Sequence, residues 1–83
     1  MEIVYINGLF TPLSKAQISI QDRGFCYGDG IFETLRASKG KIFRLEQHID
    51  RLFRSLSQIF IDLPMTRFEL MTVIQDTLTR NSH

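Results

Sequence analysis

The period of the apolar residues changes once along the chain, and this change restricts the fold more than any other feature. Residues 2–43 combine two-residue alternation with glycine and proline turns, whereas from Arg44 onward the apolar residues recur at helical spacing. Strands that come before helices, instead of alternating with them, are typical of an α+β fold. The sequence therefore predicts antiparallel strands followed by two helices.

Two hairpins are predicted in the strand-like half. Glu2–Ile6 and Leu9–Thr11 flank the turn dipeptide Asn7-Gly8, and Pro12 ends the return strand because proline cannot donate to a sheet ladder. Further along, residues 31–37 alternate, so a second strand is predicted there, with a turn at residues 38–41 and a return strand from residue 42. This alternation places Phe32, Thr34 and Arg36 on one face and Ile31, Glu33, Leu35 and Ala37 on the other.

Two helices are predicted in the second half. The apolar face of the first is made of Leu45, Ile49, Leu52, Phe53, Leu56, Ile59 and Phe60, and the sequence Asp62-Leu63-Pro64 breaks it. Thr66 and Glu69 have the spacing of a capping box and should open the second helix. Its predicted buried stripe consists of Phe68, Met71, Ile74 and Leu78.

Composition excludes several classes of protein. Hydrophobic residues make up 43% and charged residues 23% of the 83-residue chain, which is typical of a globular domain. A formal net charge of +1 gives no electrostatic reason to expect nucleic acid or an anionic membrane as a partner. No apolar run is long enough to span a bilayer, and residues 1–3 lack the basic start of a secretory signal. Cys26 is the single cysteine, so we expect no intrachain disulfide and a reducing, cytoplasmic location.

The stretch from Asp22 to Arg36 carries the strongest functional signal. Gly24, Gly28 and Gly30 fall within seven residues of one another, among aromatic and charged side chains. Glycine allows positive φ angles and the close approach of other groups, and such a density is more than a simple surface loop requires. The pattern predicts a shaped binding site.

Together with residues 46–52 (Glu-Gln-His-Ile-Asp-Arg-Leu), this stretch resembles the class IV aminotransferases, the fold-type IV pyridoxal-phosphate enzymes. The resemblance extends from Tyr5 to Asn81. It implies that residues 1–83 are part of the N-terminal small domain of a homodimeric enzyme that uses pyridoxal 5'-phosphate. It also implies that the lysine bound covalently to the cofactor lies beyond residue 83, so that this chain contains no catalytic residue and is inactive alone.

Arg51 is the candidate cofactor-binding residue. His48, Arg51 and Ser55 form one polar stripe at helical spacing, and on spacing alone Arg51 would be a solvated surface arginine. The resemblance instead implies that its planar guanidinium holds the cofactor's phosphate. It gives His48 a supporting role beside Arg51, through a hydrogen bond or packing, and no metal site is expected.

Tyr27, Phe32 and Arg36 are the candidate substrate-pocket residues. The resemblance places Tyr27 and Phe32 in the pocket wall and Arg36 near it. The alternatives are that Phe32 belongs to the core and that Arg36 forms a surface ion pair with Asp29 or Glu33. We interpret Asp22 with Arg23 as a structural turn pair.

The resemblance implies amino-group transfer between an amino acid, branched-chain or D-, and a 2-oxo acid. Two alternatives remain open: a pyridoxal-phosphate-dependent aminodeoxychorismate lyase, and a non-catalytic module that retains only this fold segment. Lys15, Lys39 and Lys41 lie in loop or turn sequences, where an ammonium stays hydrated and protonated, and none of them matches the family's catalytic lysine.

Overall fold

A computed structural model describes residues 2–81 of the chain as an α+β unit, which confirms the predicted fold class. Met1, Ser82 and His83 lie outside the described residues, so the bounds of the predicted unit, 1–83, extend slightly beyond them. In chain order the elements are β1 (Ile3–Ile6), β2 (Leu9–Pro12), one turn of 3-10 helix (Leu13–Lys15), α1 (Arg23–Tyr27), β3 (Ala37–Ser38), β4 (Lys41–Ile42), α2 (Leu45–Gln58) and α3 (Arg67–Arg80).

The first hairpin forms as predicted. β1 and β2 pair in antiparallel register from Ile3 opposite Pro12 to Ile6 opposite Leu9. The turn residues have positive φ, 50° at Asn7 and 85° at Gly8. Two consecutive left-handed residues match the right-handed twist of the strands on either side. The Asn-Gly dipeptide thus fixes both the turn and the register.

The predicted strand over residues 31–37 is wrong for most of its length. Only Ala37–Ser38 pairs with Lys41–Ile42, and the Phe43 amide adds one hydrogen bond of 2.8 Å to the carbonyl of Arg36. A strand requires a ladder of hydrogen bonds to a neighbour, and β4 is too short to provide one. The alternation nevertheless appears in burial: Ile31, Glu33 and Leu35 are half-buried, whereas Phe32, Thr34 and Arg36 are exposed.

The glycine-rich stretch contains a short helix that the sequence did not indicate. Asp22 begins α1, since its carboxylate accepts hydrogen bonds from the amides of Gly24 and Phe25. Gly28 ends the helix with a φ of 71°. A Cβ at Gly24 would lie 3.0 Å from Asp22 Oδ2 and 3.3 Å from the carbonyl of Asp29, so this glycine permits a close approach. Gly30 shows neither requirement.

Helix α2 ends at Gln58, two residues before the predicted Phe60. Phe60 has a φ of 59°, its amide donates to the carbonyl of Ser57 at 3.3 Å, and the Ile61 amide donates to that of Leu56 at 3.0 Å. This is the hydrogen-bond pattern of a Schellman C-cap. The left-handed conformation of Phe60 therefore ends the helix, four residues before Pro64.

Helix α3 begins with the predicted capping box. The Glu69 amide donates to Thr66 Oγ1 at 3.1 Å, and the Thr66 amide donates to Glu69 Oε1 at 2.9 Å. Of the predicted stripe, three members are half-buried, but Phe68 is 74% exposed. The packed face of α3 also includes Leu70, Val73 and Thr77. Its centre therefore lies on a side of the helix that does not include Phe68.

Helix α3 packs against α2 on one side and β1 on the other. Within residues 2–81 the buried apolar side chains are Ile49 and Leu56, both on α2. Asn81 joins the end of α3 to β1, because its side chain accepts from the Ile3 amide and donates to the Ile3 carbonyl, each at 2.8 Å. No helix in this part of the chain combines the length and apolar character needed to cross a bilayer.

Candidate functional site

The centre of the candidate site is an ion pair between Arg51 on α2 and Glu33 in the segment before β3. Arg51 Nε donates to Glu33 Oε2 and Arg51 Nη2 donates to Glu33 Oε1, both at 2.8 Å. Two parallel charge-assisted hydrogen bonds of this kind fix the plane of the guanidinium as well as its position. The pair also holds residue 33 against the helix.

His48 completes a three-residue cluster with Glu33 and Arg51. Its Nδ1 lies 2.7 Å from Glu33 Oε1, and the position one helical turn before Arg51 brings the two side chains to the same face of α2. A carboxylate can only accept, so we assign the proton of this hydrogen bond to Nδ1. The contact of 3.4 Å between Arg51 Nη2 and His48 Nδ1 is correspondingly weak.

The cluster keeps Glu33 ionised. The hydrogen bond from Arg51, followed by that from His48, lowers the pKa of Glu33 from 4.5 to about 2. The carboxylate in turn raises the pKa of Arg51, which stays protonated. The Glu33 side chain is 11% exposed and that of Arg51 is 59% exposed. The carboxylate is therefore the inner partner and the guanidinium the outer one.

Arg51 keeps donors that Glu33 does not use. Glu33 occupies the edge formed by Nε and Nη2, which leaves both N–H groups of Nη1 and the second N–H of Nη2. These groups form the end of the guanidinium fork, a shape that matches two oxygens of a phosphate. The arrangement can bind an oxyanion from the solvent side.

Among the described residues, the hydrogen bonds of this cluster do not include the predicted pocket residues Tyr27, Phe32 and Arg36. Tyr27 ends α1 and is 72% exposed, with the Arg23 guanidinium 5.1 Å from the centre of its ring. Phe32 is 87% exposed, so the alternative that it belongs to the core is wrong. Arg36 lines a shallow groove beside the second hairpin, with Phe43. Their pocket role stays a prediction.

The alternative that Arg36 forms an ion pair with Asp29 or Glu33 is wrong. Asp29 pairs with Arg23 at 2.6 Å and Glu33 pairs with Arg51, so neither carboxylate is the partner of Arg36. Asp22 does not pair with Arg23, because its carboxylate is engaged in capping α1. The carboxylate of Asp22 therefore bonds to backbone amides of α1, and that of Glu33 bonds to an arginine further along the chain.

The sequence did not indicate the role of Glu33. It did place Glu33 on the face that carries Ile31 and Leu35, and both of these are half-buried. A carboxylate between two such residues loses hydration and requires a cationic or hydrogen-bonding partner. That requirement could have identified Glu33, although it does not indicate that the partner is 18 residues away.

Comparisons with known proteins agree with the family named by the resemblance. The sequence model for amino-transferase class IV matches residues 30–83. The chain is 43% identical, over 95% of its length, to a Methanocaldococcus jannaschii protein provisionally named a branched-chain-amino-acid aminotransferase, of which it covers 27%. It is also 43% identical, over 99% of its length, to a D-alanine aminotransferase of Staphylococcus haemolyticus, of which it covers 29%.

A solved structure supports the same relationship. The crystal structure of the T.th. branched-chain amino acid aminotransferase, complexed with N-(5'-phosphopyridoxyl)-L-glutamate, matches 99% of the chain with a TM-score of 0.90 and 29% identity. The chain covers 29% of that structure. It therefore spans less than a third of the length of the relatives it matches.

Proposed function

Since the chain belongs to the amino-transferase class IV family, we propose that it forms the N-terminal part of an aminotransferase that uses pyridoxal 5'-phosphate. The reaction would be amino-group transfer between an amino acid, branched-chain or D-, and a 2-oxo acid. Relatives named for branched-chain amino acids and for D-alanine support both substrate classes. The observation that carries the proposal is an exposed arginine, Arg51, which donates two of its five N–H groups to Glu33 and keeps three that Glu33 does not use.

The residues present fit the cofactor's phosphate. A phosphate monoester needs a cation that presents several donors in a fixed direction, and the free edge of Arg51 provides them. The Glu33 carboxylate lies on the opposite edge and does not occupy this position. His48 bonds to Glu33 and so supports the arrangement from the inner side.

When bound, pyridoxal phosphate withdraws electrons from the substrate bond that is broken at the α-carbon. Arg51 would bind and orient the phosphate, and His48 would steady Arg51 through Glu33. Tyr27 and Phe32 would exclude water from the pocket, with Arg36 near its edge. We assign no chemical role to the three lysines of this chain, Lys15, Lys39 and Lys41, all of which are exposed.

We further propose that the intact enzyme is a cytoplasmic homodimer. Several large apolar side chains are exposed in this chain, among them Phe25 at 66%, Phe32 at 87% and Phe60 at 94%. Exposed apolar side chains in such number support contact with further protein surface. Sedimentation of the intact enzyme tests this, and a stable monomer at high concentration would contradict it.

Substitution of Arg51 tests the phosphate site. In the intact enzyme, Arg51→Ala should weaken cofactor affinity roughly 10- to 100-fold, because charge-assisted hydrogen bonds are lost. Arg51→Lys should recover part of the affinity, since an ammonium is cationic but lacks the planar fork. The matched control is Arg54→Ala, at an exposed arginine one turn further along α2. Spectroscopic titration with pyridoxal phosphate measures the effect, and equal affinity in wild type and Arg51→Ala rules out the site.

A direct assay tests the activity. The intact enzyme is incubated with pyridoxal phosphate, a 2-oxo acid and either L-leucine or D-alanine, and the amino acid formed is quantified. Transfer from at least one donor is expected, and the preferred donor identifies the substrate class. Residues 1–83 alone should give no transfer, because Lys15, Lys39 and Lys41 are solvated. Absence of transfer from branched-chain and D-amino acids alike would overturn the proposed reaction.

A further inference from the structure

We propose that Glu33 is the positioning residue of the phosphate site: it fixes the guanidinium of Arg51 so that its free edge faces the phosphate monoester of the cofactor. This inference rests on the proposed function and adds a residue to it. Its basis is the cluster of Glu33, His48 and Arg51, in which a single carboxylate accepts three short hydrogen bonds.

The hydrogen bonds from Arg51 to Glu33 fix the direction of the guanidinium. An exposed arginine side chain samples many rotamers, and restricting it to one of them costs conformational entropy. Glu33 removes this freedom by taking Nε and Nη2 of Arg51 at 2.8 Å each. The opposite edge is then presented in one orientation before any ligand arrives, and preorganisation of this kind increases affinity.

Glu33 is itself fixed. Its side chain is 11% exposed, and Oε1 accepts from His48 Nδ1 at 2.7 Å in addition to Arg51. His48 is also mostly covered, with a side chain 18% exposed. The rigid end of the cluster is therefore the Glu33–His48 pair, and Arg51 extends from it towards solvent.

A competing possibility predicts the opposite effect. The negative charge of Glu33 could simply repel an anionic phosphate and compete with it for Arg51. In that case removal of the charge would strengthen phosphate binding. If Glu33 positions Arg51, its removal weakens binding instead, because glutamine replaces one acceptor oxygen by an N–H₂ group that faces another donor.

The test is a double-mutant cycle in the intact enzyme, with pyridoxal phosphate as the titrated probe. The variants are Glu33→Gln, Arg51→Ala and the double variant. We expect Glu33→Gln to weaken affinity roughly tenfold, as expected when a charge-assisted hydrogen bond is lost. The double variant should be no weaker than Arg51→Ala alone, because Glu33 acts through Arg51. Asp50→Asn is the matched control, since Asp50 is also on α2 and pairs with Arg67.

A second readout separates positioning from a general structural effect. In protein labelled with ¹⁵N-arginine, the Nε–H signal of Arg51 should be protected from exchange in wild type and lose this protection in Glu33→Gln. Arg51→Lys identifies the signal by removing it. Glu33→Asp keeps the charge on a shorter side chain and should recover part of both the affinity and the protection. This variant carries the cycle if Glu33→Gln does not fold.

Each outcome decides the question. Weaker and non-additive binding with an unchanged control supports the inference. Unchanged or tighter binding in Glu33→Gln, with Arg51→Ala weakened, overturns the role of Glu33 and leaves the proposed function in place. Additive losses also overturn it, because Glu33 would then act independently of Arg51. No effect in Arg51→Ala overturns the phosphate site and the inference together.

Discussion

Residues 17–36 and helix α2, which packs against α3, supply the two sides of the candidate site, but they are held in different ways. Every residue from 17 to 30 is exposed, whereas α2 contains the buried side chains of Ile49 and Leu56. The hydrogen bonds that involve residues 19–29 run within that segment, as in the cap of Asp22 on α1. The helix pair is thus stabilised by packing, and the segment by local polar contacts.

Glu33 connects these two regions. Its hydrogen bonds reach 15 residues along the chain to His48 and 18 residues to Arg51. Local hydrogen bonds order the glycine-rich stretch but do not attach it to the core. Packing of its apolar side chains orders α2 but does not determine which loop lies against its polar face. A polar cluster thus joins a packed framework to a loop that provides a candidate site residue.

The largest difference between the regions should appear on truncation of a buried isoleucine. Ile49 is 2% exposed, so Ile49→Ala should lower the free energy of unfolding by about 2–5 kcal/mol, because it leaves a cavity in the packed region. The matched substitution Ile20→Ala removes the same groups from a side chain that is 79% exposed and should change stability by less than about 0.5 kcal/mol. Urea unfolding measures both, and equal losses would remove the distinction between the regions.

The next effect concerns the connection at Glu33. Because folding lowers its pKa to about 2, the stabilisation from ionised Glu33 is complete above its ordinary pKa of 4.5 and is lost as the pH falls towards 2. Exchange of the Arg51 Nε–H, which donates to Glu33 Oε2 at 2.8 Å, should therefore accelerate at acidic pH in wild type, relative to the intrinsic rate. Glu33→Gln should be unprotected already at neutral pH and show little change in this window. Equal pH profiles in the two proteins would contradict the role of the cluster.

A smaller effect should stay within the packed region. Thr66→Ala removes the cap of α3 and should lower the free energy of unfolding by about 1 kcal/mol. The control is Thr72→Ala, in the middle of the same helix, where alanine has the higher helix propensity and no loss is expected. Thermal unfolding compares the two. If Thr72→Ala costs as much as Thr66→Ala, the capping box does not stabilise the helix.

The smallest predicted effect is a gain in stability. Phe60 is 94% exposed and left-handed, so Phe60→Gly should raise the free energy of unfolding by about 0.5 kcal/mol through the release of backbone strain. Phe68→Gly, at another exposed phenylalanine but within a helix, should instead lower it. Denaturant midpoints distinguish the two signs. A loss in Phe60→Gly would show that the C-cap of α2 requires the aromatic side chain.

Local signals predicted much of this fold correctly. Asn7-Gly8 and the Thr66–Glu69 capping box each depend on residues within four positions of one another, so the sequence contains the whole interaction. The longer strand at residues 31–37 and the position of Phe68 could not be predicted, because both depend on which surface lies opposite. The left-handed end of α2 at Phe60 was missed because glycine, not phenylalanine, is the usual residue there.

The candidate site was predicted in part. The family resemblance selected Arg51 and His48, and the structure places them beside each other. It did not reveal Glu33, since the contact spans 18 residues and no periodic pattern connects a loop to a helix across that distance. The sequence suggested Asp29 or Glu33 as an ion-pair partner of Arg36, but both carboxylates pair with other arginines.

The contact between Asn81 and Ile3 has a consequence for the order in which the chain folds. It joins residues separated by 78 positions, and the entropy cost of closing a loop rises with its length. During synthesis, β1 and β2 are complete and can pair long before Asn81 is added. The amide and carbonyl of Ile3 therefore gain their hydrogen bonds to Asn81 only after α3 has been synthesised. The first hairpin is therefore the earliest element able to form, and this contact with the end of α3 can form only after residue 81 has been synthesised.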